Sequence, residues 1–364
     1  MTARKDQDMV LFLNNEEIKS VLGMKDCMGA IEEAFAEMHY GRAAFFDVID
    51  FWIPTPSSPE EYYRPRTMIG AIEKSGSYCV RLMSDVMYWV KKGELETEEK
   101  YCVTPGTFCG LLVLFGTHHG EPLAILQDGY IQHMRVGATA GVAAKYMARP
   151  DADTLGMIGS GGMARSYLTA FSVARSIRKV RVYSPNKEHR EAYAREMSEA
   201  LGIEVEPVDE AKKAVQGAAI VATCTDSMAP VVKADWLEPG MFLVNLRSGG
   251  MIEYESEVFR RVDLIVRTSN NLFQRKVLAG AEELGRSKGW DKLQYAAKEA
   301  QATLDQVIVG AVNGRTHEAQ ITFFDNGGVG IQFAAVASKA YELAKVKDLG
   351  RDLPAEWFLQ KIRD

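Results

Sequence analysis

The sequence has few cysteines, no excess of basic residues and no long apolar run. Its 5 cysteines among 364 residues lack the paired spacing of metal ligands, so we expect reduced thiols and no metal site. The formal net charge of −6 leaves no basic block to neutralise phosphates, which argues against a nucleic-acid or anionic-membrane partner. No apolar run approaches the roughly 20 residues that span a bilayer, and the N-terminus lacks an apolar export core. These absences predict a folded cytoplasmic protein.

A glycine turn follows an apolar strand at 154–164, in the sequence Thr-Leu-Gly-Met-Ile-Gly-Ser-Gly-Gly-Met-Ala. Gly159 permits a tight turn, Gly161 lets the backbone approach a pyrophosphate, and Ala164 allows the next helix to pack closely on the strand. That helix would direct its unpaired N–H groups at the phosphates. The triplet alone is weak support, since many such turns bind nothing. The motif predicts cofactor contacts by Gly159, Ser160, Gly161, Gly162, Met163 and Ala164.

Beyond the glycine turn, apolar runs alternate with helical stretches. Strands are predicted at 180–184, 204–207, 219–225, 242–245 and 264–266, and helices at 164–174 and 187–201. This alternation predicts an α/β fold with a doubly wound parallel sheet, as in a Rossmann domain. Ligands of such sheets lie beyond the carboxyl ends of the strands. The residues expected around this crevice, each of which also fits a solvated loop, are Ser184, Thr223, Thr225, Asn245 and Arg247.

The first 135 residues have a different pattern, with an amphipathic helix near 28–38 followed by short apolar runs. Turns rich in Pro, Gly and Ser separate these runs and predict a mostly antiparallel sheet, with strands near 46–53, 67–72, 78–83, 108–115 and 123–127. Near the end, a glycine cluster precedes an apolar helical stretch that we expect to return to this region. Gly328 in that cluster would either admit the nicotinamide end of a cofactor or act as a hinge. The chain thus divides into a Rossmann domain at 136–325 and a second α+β domain built from both termini, 1–135 with 326–364.

Three stretches occur in a characteristic order along the chain. They are the run at 131–150 that leads into the glycine turn, the sequence Trp-Leu-Glu-Pro-Gly at 236–240, and the glycine-rich segment at 323–330. In this order they resemble the ornithine cyclodeaminase/mu-crystallin family, and the resemblance extends over nearly the whole chain. It implies a homodimer in which the domain built from both termini carries substrate binding and dimerisation.

The resemblance also implies which residues bind the substrate. The family's lysine after an aromatic-containing strand falls on Arg81, and its arginine before the Rossmann domain is matched by Arg135. Two cations converging on one site are costly to bury without an anion, and a guanidinium suits a carboxylate bidentately. We therefore expect Arg81 and Arg135 to be catalytic residues that hold the carboxylate of an amino or imino acid, the alternative being surface or salt-bridged arginines. Thr107 matches a family threonine near the cofactor.

Two departures from the family pattern bear on the reaction. The early arginine of the family is replaced around Asp47 or Val48, and the aspartate of cyclodeaminases after the fifth Rossmann strand is Arg247 here. Cyclodeamination needs proton exchange at the amine, which an arginine does not provide near neutral pH. Hydride transfer to the alpha carbon of an imino acid asks less of the protein. Asp85 is then a candidate proton donor, and Arg247 a candidate ligand for a second substrate carboxylate.

The end of the second Rossmann strand bears on the choice of cofactor. An NAD-selective site usually carries an acidic residue there, whereas this sequence has Ser184 and Asn186, with Lys187 and Arg190 nearby. We therefore expect these four residues to contact the cofactor, although Lys187 and Arg190 also fit the solvated face of a helix. NADP(H) is favoured and NAD(H) remains open.

The sequence as a whole predicts NAD(P)H-dependent reduction of an imino acid to an amino acid, or the reverse dehydrogenation. A lyase of the ornithine cyclodeaminase type and a mu-crystallin-like NADP-dependent ligand-binding protein are the alternatives. The arginine pair favours an enzyme acting on a small imino or amino acid, because a pure nucleotide binder has no need of a carboxylate clamp.

Overall fold

The computed structural model describes residues 9–92, 95–246, 253–270, 273–280, 282 and 300–362. The strands are β1 (Met9–Leu13), β2 (Ala43–Phe45), β3 (Val48–Pro54), β4 (Tyr62–Ile72), β5 (Ser77–Lys92), β6 (Leu95–Cys102), β7 (Thr104–Pro105), β8 (Cys109–Gly116), β9 (Pro122–Gln127), β10 (Thr154–Ile158), β11 (Lys179–Tyr183), β12 (Glu204–Pro207), β13 (Ile220–Thr223), β14 (Phe242–Val244), β15 (Leu264–Arg267), β16 (Phe273–Val277), β17 (Ala302–Thr303), β18 (Thr322–Asp325) and β19 (Arg351–Pro354).

The helices complete the element order. They are α1 (Asn15–Val21), α2 (Met24–His39), α3 (Asp128–Met147), α4 (Gly162–Ala174), α5 (Lys187–Leu201), α6 (Ala211–Val215), α7 (Val258–Arg261), α8 (Leu304–Ile308) and α9 (Gly330–Val346). None of the helices in these described ranges is long and apolar enough to cross a membrane.

The first sheet has the order β16-β3-β4-β5-β8-β9-β1-β19, with β2 on β4 and β6 on β5. Most neighbours are antiparallel, as predicted, and the exceptions are the parallel pairs β1–β9 and β16–β3. The β5 strand is much longer than its apolar core at 78–83, because its second half pairs with β6 in a hairpin. One face of this sheet is the floor of the site described below.

The second sheet is entirely parallel, in the order β12-β11-β10-β13-β14-β18-β15-β17, which confirms the doubly wound α/β prediction. The strand order reverses between β10 and β13, and this reversal opens the crevice in which such sheets bind nucleotides. The sequence pattern missed β18, whose four residues lie fully buried between β14 and β15. A buried strand this short shows no alternation of apolar and polar residues. Its sequence alone therefore indicates the start of the segment that returns to the first sheet.

The α3 and α9 helices connect the two sheets. The α3 helix runs unbroken through position 135, where the sequence pattern places a boundary, and it packs along α4. At that contact a Cβ on Gly137 would lie 2.5 Å from the backbone oxygen of Ser166, so only glycine lets the two helices come this close. The α9 helix is mostly buried and returns the chain onto β4 and β5. Residues 273–277, predicted within the Rossmann domain, instead add a strand to the first sheet.

Candidate active site

The glycine turn lies at the strand reversal, between β10 and α4. Gly159 has a φ of +110°, and its amide donates to the Tyr183 carbonyl at 2.8 Å. Its Cα approaches the carbonyl of Cys224 so closely that no Cβ fits between them. Gly161, by contrast, has open space where a Cβ would project, and it caps the N-terminus of α4. The turn therefore offers the bare backbone and free space that a dinucleotide pyrophosphate needs.

The remaining residues of the motif stabilise the turn and begin the helix that follows it. Ala164 lies in the first turn of α4 and is fully buried, and the Ser160 carbonyl accepts a hydrogen bond from Arg165 at 2.7 Å. Gly162 and Met163 are the first residues of α4, so their amides belong to the unpaired N-terminal set. The cofactor contacts predicted for these residues fit this geometry and stay predictions.

The end of β11 carries the residues predicted to select the cofactor. Asn186 caps α5, with its side-chain oxygen accepting from the His189 amide at 3.0 Å. Lys187 is exposed, and its ammonium lies 3.8 Å from Glu191 on the same helix. Arg190 instead folds back and donates to the Ser184 carbonyl at 3.0 Å. Of these side chains, Arg190 is the cation held against the carboxyl end of β11.

Three of the predicted crevice residues lie at strand ends, and two of them, Thr225 and Asn245, are committed to other contacts. The Thr225 hydroxyl donates to the buried Glu253 at 2.7 Å, a carboxylate that also accepts from the Leu246 amide at 3.0 Å. Asn245 is fully buried and donates to Asp325 at 3.0 Å. Thr223 is buried at the end of β13. Glu253 thus ties the loop after β13 to the loop after β14, a role that the sequence pattern did not reveal.

Two other predictions find less support in the geometry. Thr107 is exposed, and its hydroxyl closes its own turn by donating to the Thr104 carbonyl at 2.7 Å and to the Cys102 carbonyl. Arg247 lies outside the described residues, so both roles considered for it stay untested.

Arg81 is held by an aspartate that the sequence analysis missed. Its Nε and Nη2 donate to one oxygen of Asp128 at 2.9 and 2.6 Å, and both side chains are almost completely buried. The third nitrogen, Nη1, contacts the Met68 sulfur at 3.4 Å, which is a weak acceptor. Arg81 can therefore offer Nη1 to a ligand while Asp128 fixes the plane of the guanidinium.

Arg135 is equally buried but has neutral partners. Its Nη1 donates to Gln332 at 3.2 Å and its Nη2 to Gln132 at 2.9 Å, while its Nε finds no acceptor among the described residues. Burial, and next the charge of Arg81, lower the pKa of Arg135. A bound carboxylate would relieve both penalties.

Phe333 of α9 brings the two arginines together. The guanidinium carbons of Arg81 and Arg135 lie 4.4 and 4.7 Å from the centroid of its ring. Both cations thus lie against one buried aromatic ring, a geometry that stabilises cations without neutralising them. Arg81 and Arg135 thus lie close together, and their joint binding of a substrate carboxylate stays a prediction.

Gly328 lies against the same cluster. A Cβ at this position would lie 3.0 Å from Arg135 Nη1 and 3.2 Å from the Met68 methyl group. The bare backbone at 328 therefore makes room for the Arg135 guanidinium. Its predicted contact with a nicotinamide stays a prediction.

Asp85 lies on the same strand and face as Arg81. It is 2 % exposed, and its Oδ1 has no hydrogen-bond partner in the described part of the chain. Burial raises the pKa of Asp85, and Lys100, Arg66 and Arg81 act in the opposite direction. Since burial is the largest influence, the carboxyl keeps its proton to a higher pH than an exposed aspartate.

The β5–β6 hairpin crosses from the first sheet to the second. Thr97 on β6 forms a bridge to Ser227 in the loop after β13, and the Met228 amide donates to the Glu96 carbonyl at 3.1 Å. The hairpin therefore contacts the loop that borders the nucleotide crevice. It also brings Lys100 within electrostatic range of Asp85 and Asp128.

A signal in the sequence could have revealed Asp128. It precedes Arg135 by seven residues, which is about two helical turns, so the two side chains share a face of α3. No comparable signal identifies Phe333 or Gln332, because they come from a helix almost two hundred residues away, as the separation of 197 between Arg135 and Gln332 shows.

The fold and the site define a Rossmann-type dinucleotide-binding protein with two buried arginines clustered at Phe333. The model of the ornithine cyclodeaminase/mu-crystallin family matches residues 8–348, and the chain belongs to this family. An alanine dehydrogenase of Archaeoglobus fulgidus is 28% identical over 343 residues, covering 93% of this chain and 97% of that protein. A Delta(1)-pyrroline-2-carboxylate reductase of Bacillus cereus is 30% identical over 256 residues, covering 68% and 74%.

Solved structures agree with these sequence matches. The Delta(1)-pyrroline-2-carboxylate reductase of Thermococcus litoralis, in complex with NADH and L-proline, has a TM-score of 0.76 and 26% identity, covering 94% of this chain and 100% of its own. An archaeal alanine dehydrogenase dimer with bound NAD has a TM-score of 0.73 and 26% identity, covering 95% and 99%.

Replacing Asp128 with Asn tests the ion pair. The amide keeps the shape of the side chain but leaves the buried Arg81 charge uncompensated, so we expect the free energy of unfolding to fall by about 3 kcal/mol. Urea unfolding measures the change, and Glu196→Gln is the control. Glu196 pairs with Arg165 at 2.6 Å on the surface, and its loss should cost less than about 1 kcal/mol. Equal effects of the two variants would contradict the assignment.

Proposed function

We propose that this protein is an NAD(P)H-dependent oxidoreductase that reduces an imino acid to an amino acid and catalyses the reverse dehydrogenation. The observation that carries the proposal is Arg135, a buried cation held by two amides and lying, like Arg81, against the Phe333 ring. With Arg81 balanced by Asp128, the arginine pair retains about one positive charge, which suits one substrate carboxylate.

The proposed reaction needs few groups from the protein. The cofactor supplies or accepts the hydride at the alpha carbon, next to the carboxylate that the arginines hold. In reduction the C=N bond becomes C–N, the carbon gains the hydride, and an unprotonated nitrogen gains a proton. Arg81 and Arg135 fix the position and plane of the carboxylate, and Asp128 fixes the plane of Arg81. Holding the alpha carbon in a fixed position against the nicotinamide lowers the entropic cost of hydride transfer.

The similarities support this assignment. The alanine dehydrogenase and the pyrroline-2-carboxylate reductases both act, by their names, at the carbon between a carboxylate and a nitrogen. The structure with L-proline and NADH shows that a protein of this shape binds an amino acid and a nicotinamide cofactor together. We extend the same chemistry to this chain.

Oxidation of NADPH or NADH by the purified protein tests the reaction. We expect turnover with 2-oxo acids plus ammonia or methylamine, or with preformed cyclic imino acids. Arg135→Lys keeps the charge but loses the planar fork, so KM for the imino acid should rise about 10- to 100-fold. Arg260→Lys, at an exposed position of α7, should leave KM unchanged.

Two results would contradict the reductase. Release of ammonia from ornithine without added reductant would assign the protein to the cyclodeaminases, since that cycle regenerates its own cofactor. Tight NADPH binding with no turnover on any imino acid would favour a ligand-binding protein.

Asp85 is the proposed proton donor, and it should show in the pH profile. A raised pKa means that the carboxyl is protonated below that pKa, so the rate of reduction should fall as the pH rises through it. Asp85→Asn cannot pass on a proton, and we expect kcat to fall about 100-fold with loss of this step from the profile. Asp352→Asn, an exposed change on β19, is the control. A wild-type profile in Asp85→Asn would exclude Asp85 as the donor.

We propose that NADP(H) is preferred over NAD(H), because Arg190 is a cation held against the carboxyl end of β11, the strand end at which such sites usually distinguish the two cofactors. Arg190→Ala should raise the Kd of NADPH about 10-fold, in keeping with the loss of one charged hydrogen bond, and change the Kd of NADH far less. Lys187→Ala removes a neighbouring exposed cation and should have little effect. Equal losses for both cofactors in Arg190→Ala would refute the preference.

The domain division and the oligomeric state are also proposals. The domain at 1–135 with 326–364 would bind substrate and form a homodimer, since an archaeal relative of similar shape is a dimer. Light scattering on the purified protein distinguishes a dimer from a monomer.

A further inference from the structure

The α3 and α4 helices touch through three residue pairs at regular intervals. His133 lies against Gly162, Gly137 against Ser166, and Gly141 against Ala170. Each step is four residues in both helices, so the helices run in the same direction and their N-termini point the same way. His133 forms the first pair, at the N-terminal end of α4.

The His133 ring lies directly on the backbone of the glycine turn. A Cβ on Gly162 would lie 2.9 Å from Cε1 and 3.2 Å from Nε2 of this ring. Gly162 is the first residue of α4, whose amides are oriented for a pyrophosphate. His133 nevertheless remains exposed, so the ring is not enclosed by the helix contact.

Packing does not explain a histidine at this position. The next two positions of the same α3 stripe are glycines, because the helix backbones meet there. At the end of the stripe the chain carries a large polar ring instead. The functional roles assigned above use its neighbour Arg135 but leave His133 without one.

We propose that His133 is a cofactor-binding residue whose imidazole donates a hydrogen bond to the pyrophosphate bound at the glycine turn. The inference rests on the proposed dinucleotide site and adds a side-chain contact to a cradle otherwise made of backbone. It would place the pyrophosphate and carboxylate contacts two residues apart on one helix.

The charges around His133 predict how binding depends on pH. Partial desolvation, and next Lys100 of β6, lower the pKa of His133, with Arg135 acting in the same direction and Asp128 opposing them. On α4, Arg165 is turned toward Glu196 and the Ser160 carbonyl. The free protein therefore holds His133 mostly neutral at pH 7, and a bound pyrophosphate raises the pKa again. Binding should then take up a proton and weaken as the pH rises.

Calorimetric titration with NADPH tests the inference. Titrations in buffers of different ionisation heat, from pH 6.5 to 8.5, give both Kd and the number of protons taken up. We expect His133→Gln to raise Kd about 10-fold at pH 6.5, with a smaller effect at pH 8.5. The variant should also lose the part of the proton uptake that belongs to His133. The 2′-phosphate titrates equally in both proteins and cancels in the difference.

A control and a ligand without a pyrophosphate sharpen the test. His118→Gln, at an exposed turn between β8 and β9, should keep the wild-type Kd and proton uptake. Adenosine monophosphate should bind equally well to wild type and His133→Gln. Wild-type Kd and proton uptake for NADPH in His133→Gln would overturn the inference and leave the reductase intact. Absence of NADPH and NADH binding to the wild type would instead overturn the proposed function.

Discussion

The buried ion pair between Arg81 and Asp128 is the constraint on which the pocket depends. Two guanidiniums share the ring of Phe333, and both would be costly there if neither had a counter-charge. Asp128 balances the charge of Arg81, whereas Arg135 is held by two neutral amides. The same carboxylate fixes the orientation of Arg81, so the pocket has a defined shape before any substrate arrives. Two arginines and one aspartate leave a net positive charge at this site, which suits one carboxylate.

Local pattern located most elements of the Rossmann half of the molecule, although it missed β18. The glycine turn and the helix at 187–201 lie where period and turn chemistry place them, because both signals are contained in a few consecutive residues. The resemblance to a family pointed to Arg81 and Arg135, which lie against the same aromatic ring in the structure. Phe333 and Gln332 could not be found in this way, since their role arises only when α9 folds back onto β5. Position at a strand end was a poor guide for Thr225 and Asn245. Their side chains bind Glu253 and Asp325 of the protein itself.

The two sheets are connected by two helices and by a hairpin. The α3 helix is continuous between them, α9 packs on the first sheet after leaving the second, and the β5–β6 hairpin bonds to the loop after β13. The two sheets are therefore linked both through helices and through this hairpin. Lys100 and Asp85 belong to the first sheet, yet the hairpin that carries Lys100 is anchored at the border of the second.

The continuity of α3 has a consequence for how the specificity of this protein can change. One continuous helix carries Asp128, His133 and Arg135, so the distance between the proposed pyrophosphate contact and the proposed carboxylate contact is a fixed length set by that helix. Side chains on β3, β4 and β6 can vary without altering that length. In this fold, one helix fixes the distance between the two proposed contacts. The residues around the rest of the substrate can therefore change in evolution without changing that distance.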